Sequence, residues 1–329
     1  MKRYHLLLKK PIIKPVIEPI IEKEPVIEKE PIIETIKSGY FDYSVIIFDQ
    51  KYPHSVNVNY VNVLYKDQYK LFFISSGHSF AEKQYITNTN TRINKVDKID
   101  YNNINTFYSI DDNENDYTIG LVSNNKYNII IELLNKQYIV NLINIKIKIE
   151  INDILYKNSY NTGFAKCQVL YELKNNKTKY HKINLDNGLI CLIYSEINNG
   201  FIIKAIESNK NDIILKQKYY KTILQSFEKN NLFKINDIDK FDYYNLNKLI
   251  QVSSIMGDSG TGYYKINNTN VDLLGIGIGG CNILILSKNK VNNGNILRWD
   301  HIKNRLVFDE YIIEEIHKGS VINSIENIF

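Results

Sequence analysis

Three cysteines, Cys167, Cys191 and Cys281, are scattered along 329 residues, and none forms a Cys-x-x-Cys pair. That spacing excludes a zinc ribbon or finger. An odd, sparse count indicates free thiols in a reducing compartment, with each cysteine a small buried residue. Charge of one sign is also scarce: 41 Lys+Arg stand against 36 Asp+Glu, a formal +5. No basic stripe follows the early residues, so nucleic acid is not the expected partner. No apolar run approaches the length of a membrane span, and the stretch near Leu6–Leu8 is too short for a signal-peptide core. His, Cys and carboxylates are nowhere clustered at metal-ligand spacing, so no metal and no cofactor is expected. Gly275, Gly277, Gly279 and Gly280 follow a strand pattern but open no helix, which removes the basis for phosphate binding.

What is abundant is Asn, Ile, Lys and Tyr, with 25 Tyr against one Trp and two Met. Those residues have A/T-rich codons, which fits a giant virus, a protist or a low-GC bacterium. The expected location is intracellular, in host cytoplasm or a virion. Hydrophobic residues make up 44% of the chain, enough for a core, and the length suits two packed subdomains.

Five of the six prolines lie between Pro11 and Pro31, in a degenerate repeat of Pro, two β-branched residues and a charge. Proline at that frequency excludes both a helix and an interior strand. Residues 1–38 are expected to form an extended arm. It is read as a spacer, or as a docking arm whose Ile/Val pairs in 11–34 engage a partner's groove or sheet edge.

From Gly39 onward, short β-type runs dominate: Tyr43–Phe48, Ser55–Val61, Lys70–Ile74, Tyr117–Val122, Tyr138–Ile151, Ala165–Leu173, Leu189–Ser195, Gly200–Ile206, Gly262–Ile266 and Val271–Ile278. Ile145, Ile147, Ile149 and Ile151 alternate with polar residues, a half-buried strand pattern. Helices are expected around 219–229 and near 299–316. Many strands with few helices predict an all-β barrel or sandwich fold.

The strongest chemical signal is Met256-Gly257-Asp258-Ser259-Gly260-Thr261-Gly262. A serine between glycines on a tight turn exposes its hydroxyl, and the N–H groups of Gly257 and Ser259 are placed to form an oxyanion hole. A strand, a polar Asn267–Asn270 turn and a returning strand follow. This region resembles the nucleophile segment of the chymotrypsin-like (trypsin-fold) serine peptidases, in an intracellular or viral branch. The resemblance implies two packed antiparallel β-barrels and a His-Asp-Ser order. Leu71–Phe80 is similar to the family's segment in which a strand ends in small residues and delivers a histidine, here His78. Asn115–Val122 is similar to its aspartate-bearing strand, here beginning at Asp116. Asp97, Asp100, Asp111 and Asp112 are the rival acids; none precedes an apolar strand as Asp116 does.

On that resemblance, residues 39–150 hold the first barrel with His78 and Asp116. Residues 151–329 hold the second barrel with Ser259, an insertion around 205–250 and a C-terminal helical segment. The implied activity is hydrolysis of a polypeptide substrate through a His78-Asp116-Ser259 triad. The alternatives are a silent protein of the same fold acting as a binding or virion-structural module, and an unrelated β-rich structural protein. The resemblance also places Ser253 and Ser254 at the floor of the primary pocket and Gly279 and Gly280 at its mouth. A neutral floor predicts a neutral residue, apolar or aromatic, before the cleaved bond. Family members often hold the aspartate preceding the catalytic serine with a newly cut N-terminal amine. No matching start is present, so Asp258 is expected to find another partner or to make only turn hydrogen bonds. Where many members place a serine supporting the catalytic aspartate, Gly277 or Ile278 stands.

Overall fold

A computed structural model describes residues 33–40, 57–80, 85–86, 92–104, 106–112, 115–159, 161–174, 177–209, 213–228, 234–235, 250–288, 296–300, 305–308 and 311–329. The 11–34 repeat up to residue 32 and the expected strand Tyr43–Phe48 lie outside these residues. Among the described residues strands dominate and form two sheets, an all-β architecture.

The smaller sheet orders its strands as Gly39–Tyr40, Asn57–Tyr65, Gln68–Ser75, Asp116–Ser123, Thr106–Asp111, Arg92–Val96 and Tyr85–Ile86. Its center is a run of buried apolar residues, Leu71, Phe72, Phe73, Ile74, Ile119 and Leu121, all nearly without solvent contact.

The larger sheet contains a closed circuit. Asn270–Lys288 pairs with Gly262–Asn267, then come Ile154–Ser159, Gly163–Leu173, Gly200–Ser208 and Tyr311–Ser324, and the last pairs back to the first. Every step is antiparallel, and closure removes the exposed edges that an open sheet would present. Leu155, Ala165, Cys167, Val169, Ile203, Ala205, Tyr263, Leu274 and Ile322 share one buried cluster. Thr35–Lys37, Asn128–Leu133 and Lys136–Val140 extend this same sheet through a parallel pairing of Val140 with Val271. Cys167, Cys191 and Cys281 are free and buried, and burial pushes each thiol up to about 12.

The helix expected around 219–229 is Ile213–Glu228. Tyr220, Ile223, Leu224 and Phe227 recur at helical spacing and are fully buried. They pack against Ile250, Val252, Leu284, Leu286, Ile313 and Ile316. Each such side chain contributes about 1.5–3 kcal/mol by leaving water. The helix begins within the expected 205–250 insertion, and residues 236–249 lie outside the described set.

Two expectations are corrected. Among the described residues the C-terminal helical content is one 3-10 turn, Ile325–Asn327, and the helix near 299–316 does not form. Its residues form Ile296–Asp300, Arg305–Phe308 and the start of Tyr311–Ser324. Non-local pairing wins there: Tyr311–Ser324 runs beside Asn270–Lys288 over almost its whole length and closes the barrel. The alternating Ile145–Ile151 stretch is not a strand, since the strand ends at Val140. Local hydrogen bonds compete with a ladder there. Asn144 accepts from the N–H groups of Lys146 and Ile147, and Asp153 accepts from that of Glu150.

Glu315 accepts from Lys204 Nζ at 2.8 Å and His317 Nε2 at 2.7 Å, and these bonds, His317 first, hold its carboxyl down at about 2. A depressed carboxyl stabilises the fold above its unfolded value of about 4.3 and loses that contribution as pH falls toward 2. The urea midpoint should therefore drop between pH 4.5 and 2, and Glu315→Gln should make that decline shallower.

Candidate active site

The apolar strand Gln68–Ser75 ends in the small residues Ser75, Ser76 and Gly77. Their size is required, because a Cβ on Gly77 would stand 1.7 Å from the Ile110 carbonyl oxygen. The turn that follows is fixed by Phe80 N–H donating to Gly77 O, Ser109 Oγ donating to the same oxygen, and a Ser76–Ser79 hydroxyl contact at 2.8 Å. His78 emerges on this turn with 37% of its side chain exposed.

Asp116 opens the neighbouring strand Asp116–Ser123, whose Thr118 pairs with Ser75. That register sets its carboxylate under the turn. Oδ1 accepts from the His78 backbone N–H at 2.9 Å, and Oδ2 meets His78 Nδ1 at 2.6 Å. A carboxylate accepts only, so Nδ1 carries the proton and Nε2 is left as an acceptor. His78 Nε2 lies 2.8 Å from Ser259 Oγ. The two halves of the chain thus bring His78, Asp116 and Ser259 together.

Of the rival acids, Asp100 and Asp112 accept from the N–H groups of Asn102 and Asn115. Asp111 sits opposite Asp116 in the ladder, and burial, followed by the Asp116 charge, pushes its carboxyl up. A depression of about 330 Å³ beside His78 and Asp116 is lined in part by Asp111, Asp112, Glu196 and Ile278. Ile278 therefore brings an apolar side chain where the resemblance anticipates a supporting hydroxyl.

The turn that carries Ser259 is tied to both sheets. Asn57 Nδ2 donates to Gly257 O and Ser259 O, both at 3.1 Å, and Asn57 N–H donates to Ser259 O at 3.3 Å. Gly260 N–H donates to Gly277 O, and Gly277 N–H to Thr261 O, fastening the turn to the Asn270–Lys288 strand. Gly257 has φ +92°, a conformation side chains resist. Among the described residues, no acceptor takes the Ser259 N–H.

Asp258, one residue earlier, is buried. Its Oδ2 accepts from Thr162 Oγ1 at 2.7 Å and Ile255 N–H at 3.2 Å, and its Oδ1 from Asn161 N–H at 3.2 Å. Lys157 Nζ, without solvent exposure, lies 3.9 Å from Oδ2 and donates to Ser159 Oγ and Thr162 Oγ1. Burial pulls the Lys157 ammonium down and the Asp258 charge opposes that shift. An internal lysine thus supplies the positive charge that Asp258 needs. Sequence reasoning missed it, although a signal was present. In Ile154–Ser159 the buried positions alternate as Leu155, Lys157 and Ser159, so the lysine lies on the inward face.

Ser253 and Ser254 are buried, and Gly279 and Gly280 are half-buried. Ser253 donates its N–H at 2.9 Å and its hydroxyl at 3.2 Å to Lys318 O. Lys318 itself carried no sequence signal, because only strand pairing brings it beside these residues. Among the described residues, no group of three His, Cys, Asp or Glu gathers as a metal site, and no helix is long and apolar enough to cross a membrane.

No family model and no curated protein matches the chain. Solved structures do. A serine protease specific for glutamic acid, described as using a histidine triad in substrate binding, is 9% identical at TM-score 0.36, over 83% of this chain and 89% of that one. Thermobifida fusca Protease A is 8% identical at TM-score 0.31, over 74% and 81%. Nocardiopsis protease is 12% identical at TM-score 0.27, over 53% and 78%. At these scores the neighbours add nothing to the geometry described above.

Replacing Lys157 by Met leaves Asp258 buried without its counter-charge. Breaking a buried pair from one side costs about 3–5 kcal/mol, whereas exposed pairs such as Lys37–Glu132 contribute little. The urea midpoint of Lys157→Met should fall accordingly. Adding Asp258→Asn to it should cost less than the sum of the single changes.

Proposed function

We propose that this chain is a serine endopeptidase. The observation that carries the proposal is the unbroken hydrogen-bonded path from Asp116 through His78 to Ser259, with contacts of 2.6 and 2.8 Å. A serine hydroxyl is too weak a nucleophile at neutral pH without an adjacent base, and the base needs an orienting partner. Both requirements are met by side chains already within reach.

In the proposed reaction Ser259 Oγ attacks the carbonyl carbon of a peptide bond and its proton passes to His78 Nε2. Asp116 holds the imidazole in the tautomer that leaves Nε2 free to accept, and balances the imidazolium that forms. The oxyanion is received by the N–H groups of Gly257 and Ser259, a type of contribution worth on the order of 3 kcal/mol per donor. Collapse breaks the C–N bond, and the leaving amine takes the proton from His78. A water then attacks the acyl-enzyme, giving its proton to His78, and Ser259 Oγ leaves and is reprotonated.

The Asn57 bonds to Gly257 O and Ser259 O support this proposal, because they hold the donor-bearing turn in one conformation before substrate arrives. The buried Asp258 network does the same from the opposite side. Preorganisation of this kind lowers the reorganisation cost of the transition state.

A fluorophosphonate serine-hydrolase probe tests the proposal. Wild type should be labelled, and labelling should vanish in Ser259→Ala and His78→Ala. Asp116→Asn should slow peptide hydrolysis by roughly 10⁴-fold, the expected cost of losing the correct histidine tautomer. A folded wild type that does not label would instead be a silent protein of this fold, used for binding or assembly.

A further inference from the structure

Lys318 occupies an unusual place for a cation. Its backbone carbonyl accepts both the N–H and the hydroxyl of Ser253, the residue six positions before Ser259. Its strand, Tyr311–Ser324, pairs with Asn270–Lys288 so that Asn282 faces Lys318 and Gly280 faces Ser320. Paired residues in an antiparallel ladder share a face, as do residues two apart. Lys318, Asn282, Gly280 and Ser320 therefore lie on one face.

The lysine side chain lies over Gly280. A Cβ built on that glycine would be 3.2 Å from Lys318 Cε and 3.3 Å from Nζ. Nζ donates to Asn282 Oδ1 at 3.0 Å, and the Asn282 amide nitrogen is anchored to Ser226 Oγ on the helix. The acceptor is thus fixed and the ammonium is held in place. His317, the next residue in the strand, points to the other face and bonds Glu315.

Among the described residues the ammonium has no matching charge. Lys157 has Asp258 and Lys204 has Glu315, but Lys318 makes no carboxylate contact within ion-pair reach among the described residues. Burial pulls its ammonium down, while the side chain remains partly exposed. The carboxylates near His78, Asp111, Asp112 and Glu196, line a separate depression. A fixed, partly desolvated cation whose partner among the described residues is a neutral amide is complemented by an anion from outside.

We infer that Lys318 makes this site select an acidic residue, Asp or Glu, immediately before the cleaved bond. This inference rests on the endopeptidase proposal, and it replaces the neutral preference expected from Ser253 and Ser254. The serines remain as a polar floor, and Lys318, next to Ser253 through strand pairing, supplies the charge. Gly280 is part of the same device, because a Cβ there would press on the end of the lysine chain and shift it by a few tenths of an ångström.

Two measurements test it. The first compares kcat/KM of the full-length chain on peptides that differ only in Glu against Gln at the position before the cut. Wild type should favour Glu by roughly 100-fold, the scale of one charge-assisted hydrogen bond. In Lys318→Gln the ratio should fall to near one, Lys318→Arg should retain a preference for Glu, and Lys318→Glu should favour Lys instead. The second measures binding of acetylated tetrapeptides ending in Glu or Gln to the Ser259→Ala protein, with and without Lys318→Gln. Tighter binding of the Glu peptide, lost with Lys318→Gln, supports the inference without any turnover. A wild type that labels with the fluorophosphonate yet cuts after Gln as readily as after Glu overturns this inference alone. Equal binding of the two tetrapeptides overturns it as well, and a folded wild type that does not label separately removes the peptidase proposal.

Discussion

The carboxylate of Asp258 is out of water one residue before Ser259, and it stays there because most of its partners reach it from a different part of the barrel. Thr162 Oγ1, Asn161 N–H and Ile255 N–H bind it directly, and Lys157 supplies a buried positive charge at 3.9 Å. An unpartnered buried carboxylate would cost several kcal/mol, more than most single contacts contribute. The segment from 253 to 261 therefore has one low-energy arrangement, the one that keeps Asp258 satisfied. Ser259 is carried into place by that requirement.

The rest of the site follows from two sheets meeting at this turn. The smaller sheet fixes His78 and Asp116 to each other through a ladder in which Ser75 pairs with Thr118. The larger sheet fixes Ser259 through Gly260, Thr261 and Gly277. Asn57 and Ser75 join the two: Asn57 donates to the serine-bearing turn, and Ser75 Oγ donates to Asn57 O at 2.6 Å. Neutral hydrogen bonds are individually worth about 1 kcal/mol. Here they act on an arrangement already rigid from burial of Phe72, Ile74 and Ile119 on one side and Tyr263 and Ile276 on the other.

The helix Ile213–Glu228 shows how a segment outside the barrel circuit reaches the site. Its buried face covers the outer side of the barrel strands that carry Leu284 and Ile316. Its Ser226 anchors Asn282, which in turn holds the Lys318 ammonium. The same apolar stripe that stabilises the helix therefore sets the position of a charge in the proposed substrate pocket.

Strands such as Gln68–Ser75, Asp116–Ser123, Gly163–Leu173 and Gly262–Asn267, the helix over 219–229 and the three segments bearing His78, Asp116 and Ser259 could be read from residue order. Each depends on local chemistry: alternation, an apolar stripe, or small residues where backbones crowd. Local pattern failed at Ile145–Ile151, where Asn144 and Asp153 side chains capture the backbone, and near 299–316, where barrel closure overrides any helical tendency. Lys157 lay between these cases, visible in the alternation of its strand but without meaning until Asp258 was beside it. Lys318 could not be read at all. Its neighbours Gly280, Asn282 and Ser253 are 36 to 65 residues away in sequence, and strand pairing brings them together: Asn270–Lys288 on one side of Tyr311–Ser324 and Ile250–Val252 beside it. The sequence by itself determined where several strand runs lie and which residue types can do chemistry. Tertiary structure decided which charges meet, because electrostatic partners are set by closure of the barrel and not by separation along the chain.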